Sequence, residues 1–98
     1  MVSVVVTYYV LPGKREEYLE VCKEMIEKTN EEEGCVFYDL FEEIEGDDSG
    51  LTLVEVWKSQ EALDYHMQTA HFLKGLAGLT PIREERRVRK VYKNAIQD

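Results

Sequence analysis

Residues 53–72, LVEVWKSQEALDYHMQTAHF, change their periodicity within twenty positions. Up to Trp57 the apolar residues alternate. Leu51, Leu53, Glu55 and Trp57 share one face of a strand, and Val54 and Val56 share the other. From Ser59 onward the steps become three and four: Ala62, Leu63, His66, Met67 and Ala70 fall on one helical face. Ser59 suits the N-cap of that helix, and Glu61 suits its first turn. The segment 59–79 reads as one helix or as two short ones, with Thr69 available to cap a second around Phe72–Leu76. A strand therefore leads straight into helical structure. The only Trp and both His of the chain lie at that junction.

Working outward, CVFYDLFEEI (35–44) reads as another strand, joined to 51–58 through EGDDSG (45–50), which is turn chemistry. Asp47 and Asp48 in this loop lack the spacing of a calcium-binding loop. VSVVVTYYVL (2–11) is β-branched and aromatic throughout, as a strand should be, and apolar on both faces. Residues 12–34 are helical in period, with Tyr18, Leu19, Cys22, Met25, Ile26 and Thr29 on the inner face, Pro12 at the entry and Gly34 at the exit. Glu31–Glu33 at its end reads as a solvated, fraying terminus and not a metal site. IREERRVRKVYKN (82–94) closes as a strand. Its six basic residues are spread over both faces and interrupted by Glu84 and Glu85, which argues against a nucleic-acid patch.

The order strand, helix, strand, strand, helix, strand predicts an α+β, ferredoxin-like split β-α-β fold: a four-stranded antiparallel sheet with two helices on one face. Two helices cannot cover both sheet faces. The apolar second face is expected to pack on a second copy of the chain.

Composition narrows the function classes. The 98 residues suit a single domain, 1–98, burying roughly 60–65% of its unfolded surface. A net charge of −8 disfavours nucleic acid and anionic membranes as partners. The N-terminal apolar stretch lacks the pattern of a signal peptide, and no apolar run reaches the ~18–20 residues of a membrane span. Cys22 and Cys35 fit no metal spacing. Free thiols in a cytoplasmic protein are expected, with a disulfide between them as the alternative.

Glu55 is an acid in an apolar strand. It is either paired with an Arg or Lys of the last strand or in contact with a ligand. Trp57 is either core or the wall of an aromatic pocket. His66, on the inward helix face, is either a satisfied core residue or a donor or general base near the Trp57 strand. His71 follows five residues later. On a continuous helix that is roughly 140° away, so no i, i+4 metal pair is expected. Tyr8, Phe37, Tyr38, Tyr65 and Phe72 are packing residues or further lining. There is no Gly-rich phosphate loop and no evident metal-ligand set, so neither cofactor nor metal is expected.

Glu33-Gly34-Cys35 before the second strand, Glu55-x-Trp57 at the end of the third, and His66-x-x-Thr69-x-His71-Phe72 after it resemble the antibiotic biosynthesis monooxygenase domain family. The resemblance covers nearly the whole chain. It implies a dimeric α/β barrel with a pocket between sheet and helices in each subunit. The family includes oxygenases that oxidise quinol or phenol rings without metal or flavin, haem-degrading enzymes, and an isomerase of a phosphorylated sugar. The haem degraders carry an Asn in the first strand that is missing here, and the family's Pro before the second His is replaced by Ala70.

The reading that follows is a cofactor-independent monooxygenase acting with O2 on a small hydroquinone or phenolic aromatic. His66 and Trp57 are the expected catalytic pair, with Tyr8, Phe37, Glu55, His71 and Phe72 binding substrate. A sugar-phosphate or ketone isomerase, with Arg83, Arg86 or Arg87 holding phosphate, and a non-catalytic haem- or aromatic-binding module are the alternatives.

Overall fold

A computed structural model describes residues 1–96. Four strands and three helices follow one another as β1 (Val2–Val10), α1 (Arg15–Thr29), β2 (Cys35–Glu42), β3 (Gly50–Trp57), α2 (Gln60–His66), α3 (Ala70–Leu79) and β4 (Arg83–Lys93), with a 3-10 turn at Thr80–Ile82 before β4. The sheet is antiparallel with order β2-β3-β1-β4, which is the expected ferredoxin-like arrangement.

Alternation in the strands sets what each sheet face carries. Val4, Val6 and Val10 of β1, Tyr38 of β2, and Leu51, Leu53, Glu55 and Trp57 of β3 are buried on the helix side. Tyr18, Cys22, Met25 and Thr29, spaced four, three and four apart, form the inner face of α1. The opposite sheet face has no helix over it. There Thr7 and Thr52 pair through their hydroxyls at 2.8 Å, and Val5, Val54 and Val56 remain half-buried.

Several boundaries differ from the sequence reading for local reasons. The helical stretch opens at Arg15 and not at Pro12, because Leu11–Lys14 first make a turn, with the Lys14 amide donating to Leu11 O and Gly13 at φ +78°. α1 ends at Thr29, and the Asn30 side-chain amide donates both to Ile26 O and to Tyr38 O, tying the helix end to β2. Gly34 is thus no helix terminator. Its role is clearance: a Cβ there would lie 2.4 Å from Ala62 Cβ of α2. β2 ends at Glu42, short of the Ile44 read from sequence. Leu19 and Met67, expected inside, are exposed.

The segment 59–79 is two helices. Ser59 Oγ accepts the Ala62 amide and caps α2. Thr69 then breaks the run: its hydroxyl donates to His66 O at 2.7 Å and accepts the Phe72 amide at 3.3 Å, starting α3. Among the described residues no helix is long and apolar enough to cross a membrane.

Candidate active site

Trp57, the last residue of β3, is wholly buried, and its indole Nε1 donates to Glu55 Oε1 at 3.0 Å. The pair is intrastrand, two residues apart on one face. The ion pair with β4 that the sequence suggested for Glu55 is absent among the described residues; Arg89 acts on it only through its field. Burial raises the Glu55 pKa, and the indole bond and Arg89 oppose that rise in part.

His66 is 1% exposed and sits within a shell of rings. Its centroid lies 4.6 Å from Trp57, 5.0 Å from Phe72 and 5.3 Å from Tyr38. Its Nδ1 is 2.7 Å from Glu32 Oε2, and His71 Nε2 is 2.7 Å from the same oxygen. The expectation that the two histidines diverge fails because the helix is interrupted between them. With a break at 67–69 their rings come to 5.9 Å, facing one carboxylate.

Glu32 also corrects the reading of Glu31–Glu33 as a solvated terminus. Its side chain is only 7% exposed. Successive turns through 28–35, with the Glu31 amide on Lys28 O, the Glu32 amide on Thr29 O and the Cys35 amide on Glu32 O, carry the middle acid of the run inward. No sequence signal marked it out. A Glu flanked by two Glu looks solvated unless the turn that follows is known.

The carboxylate fixes the chemistry of His66. Burial lowers the imidazole's pKa first, with the Glu32 hydrogen bond opposing and His71 adding to the fall, so the ring is neutral near pH 7. A carboxylate oxygen accepts, so Nδ1 carries the hydrogen and Nε2 keeps its lone pair. That Nε2 is buried and has no hydrogen-bond partner among the described residues. A buried acceptor without a donor is costly to maintain, and this one has a lone pair open to a donor.

A cavity of about 50 Å³ between sheet and helices borders this cluster. Tyr8, Tyr38, Glu55, Phe72, Leu76 and Arg83 are in its wall. Tyr38 and Phe72 belong both to this wall and to the ring shell of His66, so His66 lies one ring layer behind the cavity. Of the expected site residues, Tyr8, Glu55 and Phe72 line the cavity. Trp57 and His66 stand behind it, and His71 faces a surface cleft beside α2. Phe37 is not brought to the site: it lies on the opposite sheet face, 41% exposed and stacked on Phe41 at 6.1 Å. The neighbouring Tyr38 takes the inward position, because the register pairs Tyr38 with Glu55 and Phe37 with Val56. Of the three candidate phosphate-binding arginines, only Arg83 reaches the cavity; Arg86 is engaged by Glu84 and Asp47. Cys22 and Cys35 are both free thiols.

Comparison with known proteins adds three findings. Residues 1–78 match the family described as antibiotic biosynthesis monooxygenase. Over 63 residues the chain is 40% identical to the candidate monooxygenase YcnE of Bacillus subtilis and, separately, to an uncharacterized protein of Synechocystis; each match takes in 64% of this chain. The matches span 65% of YcnE and 42% of the Synechocystis protein, so the chain covers less than two thirds of either relative. A crystal structure of a conserved protein from Methanosarcina mazei superposes with a TM-score of 0.88 at 33% identity, over 94% of this chain and 90% of that one.

Proposed function

The chain belongs to the antibiotic biosynthesis monooxygenase family, and from that premise we propose that it oxidises a small dihydroxyaromatic with O2, without a bound cofactor. The observation that carries this reading is the buried, unpartnered Nε2 of His66, whose tautomer Glu32 fixes. A phenolic hydroxyl is a donor that such a nitrogen lacks. Once it gives up its proton, the ring is reducing enough to pass an electron to O2.

The stoichiometry balances without an outside reductant. A hydroquinone and O2 give a hydroxyquinone and water: one oxygen atom enters the ring, and the other leaves as water with both substrate protons. The protein's part is to take a proton, hold the ring and exclude bulk water. His66 accepts the proton at Nε2. Trp57 backs His66 and anchors Glu55, which presents a carboxyl group in the cavity wall to the second ring hydroxyl. Tyr8 and Phe72 bound the ring.

The cavity as it stands has room for one or two waters, each needing about 30 Å³, and not for a ring. Substrate entry therefore requires Phe72 and Leu76 to swing aside. Both are on α3, beyond the break at Thr69, and Leu76 is already partly exposed. Displacing Phe72 opens the path between cavity and His66. The assembly we propose is a homodimer packed through the uncovered sheet faces.

The test is oxygen consumption with a panel of hydroquinones, measured against protein-free autoxidation and against His66→Gln. The Gln side chain keeps polarity near Glu32 but cannot serve as a base. Uptake above autoxidation, reduced at least 100-fold in the variant, is the expected result. Uptake no faster than autoxidation across the panel, or unchanged in a folded His66→Gln protein, would reject the proposal.

A further inference from the structure

Glu32, His66 and His71 come from three separate places in the chain: the turn after α1, the last residue of α2 and the first turn of α3. Their ligand atoms, one from each side chain, all lie within 4.8 Å of one another. Both imidazoles are directed at the same oxygen, Oε2 of Glu32. Hydrogen bonding accounts for that oxygen but leaves the carboxylate incomplete, because Oε1 is buried with no partner among the described residues. A side chain 7% exposed, with one bare oxygen beside two imidazole nitrogens, offers more ligand capacity than its hydrogen bonds use.

We propose that these three residues bind a divalent transition-metal cation of the zinc class through His66 Nδ1, His71 Nε2 and the Glu32 carboxylate. Two imidazoles and one carboxylate suit zinc, cobalt, nickel or copper, and are poor for calcium or magnesium, which require mostly oxygen ligands. Metal–ligand bonds of about 2.0–2.2 Å at tetrahedral angles separate ligand atoms by about 3.3 Å. The two 2.7 Å contacts must therefore widen by roughly 0.6 Å. His71 can widen its own contact, since its side chain is partly exposed and follows the interrupted turn at 67–69, and the buried His66 contact widens by rotation of the Glu32 carboxylate. The fourth coordination position opens toward the cleft that Glu32 and His71 share with Glu31, Glu33 and Glu61. These acids concentrate cations there, against the opposing charges of Lys28 and Lys58.

Metal on Nδ1 puts the ring hydrogen of His66 on Nε2. The bound ion and the proposed base are then alternatives, and the metal-loaded protein consumes no oxygen. This corollary rests on the oxygenase reading; the binding itself does not.

The test uses untagged, chelator-stripped full-length protein titrated with Co2+, followed by its visible ligand-field bands, and with Zn2+ by calorimetry; Mg2+ serves as the control. One ion per chain is expected, with affinity lowered at least 10-fold in both Glu32→Gln and His71→Ala and no saturation by Mg2+. His71→Ala alters a partly exposed side chain and keeps the test open if Glu32→Gln misfolds. Absence of a saturating Co2+ signal overturns the site, and so does an affinity that His71→Ala leaves unchanged. Metal binding without inhibition of oxygen uptake would remove the base assignment and leave the metal site standing. Uptake in a protein that binds no metal would do the reverse.

Discussion

Glu55 is held in place by an indole and not by a cation, and its protonation should therefore register in stability. Burial raises its pKa in the folded chain above the ordinary value of 4.5. A raised carboxyl pKa means that the folded state binds the proton more tightly than the unfolded state does. Stability from this group is present below the unfolded value and declines as pH climbs through the window up to the folded value. Glu55→Gln keeps an oxygen for the Trp57 Nε1 hydrogen bond and removes the titration. Its melting temperature relative to the parent should therefore be higher at pH 7 than at pH 4. Thermal melts of both proteins at the two pH values check this; a difference independent of pH would mean that folding leaves the Glu55 carboxyl unshifted. Glu55 and Trp57 were legible as neighbours from sequence, because two residues on one strand face need no knowledge of the rest of the chain. Glu32 was not legible, since its burial depends on a turn, a helix break and two histidines more than thirty positions away.

At the scale of elements, the site depends on how closely α2 approaches the start of β2. Gly34 makes that approach possible: its Lys58 partner donates to Gly34 O at 2.9 Å, and no Cβ stands between it and Ala62. Both atoms of the clash in Gly34→Ala belong to short side chains on backbone that cannot swing away, so the variant should lose about 1–3 kcal/mol. It should also displace α2, and with it His66. The paired change Gly34→Ala with Ala62→Gly restores the clearance. In a double-mutant cycle it should recover part of the loss, although Gly within a helix itself costs about 1 kcal/mol. Denaturant melts of the four proteins measure the coupling; strict additivity would show that the two positions do not touch. The sequence located this glycine but suggested the wrong reason for it. Gly after a helical run is most often a terminator, and only the tertiary packing shows that Asn30 has that task. The same limit applies to 59–79. Thr69 was recognisable as a possible cap, yet whether the helix breaks there decides if His66 and His71 meet, and three- and four-residue spacing alone does not settle it.

At the scale of the whole molecule, the unsolved requirement is the bare sheet face. Phe37, Phe41, Val88 and Tyr92 are each between 41% and 52% exposed on it, around a half-buried centre of Val5, Val54 and Val56. An apolar surface of this kind on a single copy favours association. The face spans all four strands and carries the same residues in each copy, so two molecules related by a twofold axis can cover one another. The apolar alternation of β1 made this legible in the sequence, since a central strand with two apolar faces needs two covers. What the sequence could not supply is which side chains form the rim: the parity of Phe37 in β2 depends on the irregular register between Cys35 and Phe37, which alternation alone does not show. Val54→Lys places a charge at the centre of the face, where Asp39 of β2 is its cross-strand neighbour and can receive the ammonium within one chain. The parent should sediment as a dimer at micromolar concentration, and Val54→Lys as a folded monomer, with the dissociation constant raised at least 100-fold. A monomeric parent would show that this face is not covered by a second copy. A dimeric Val54→Lys protein would place the interface elsewhere, and Phe37 would then have no buried contact to explain its presence.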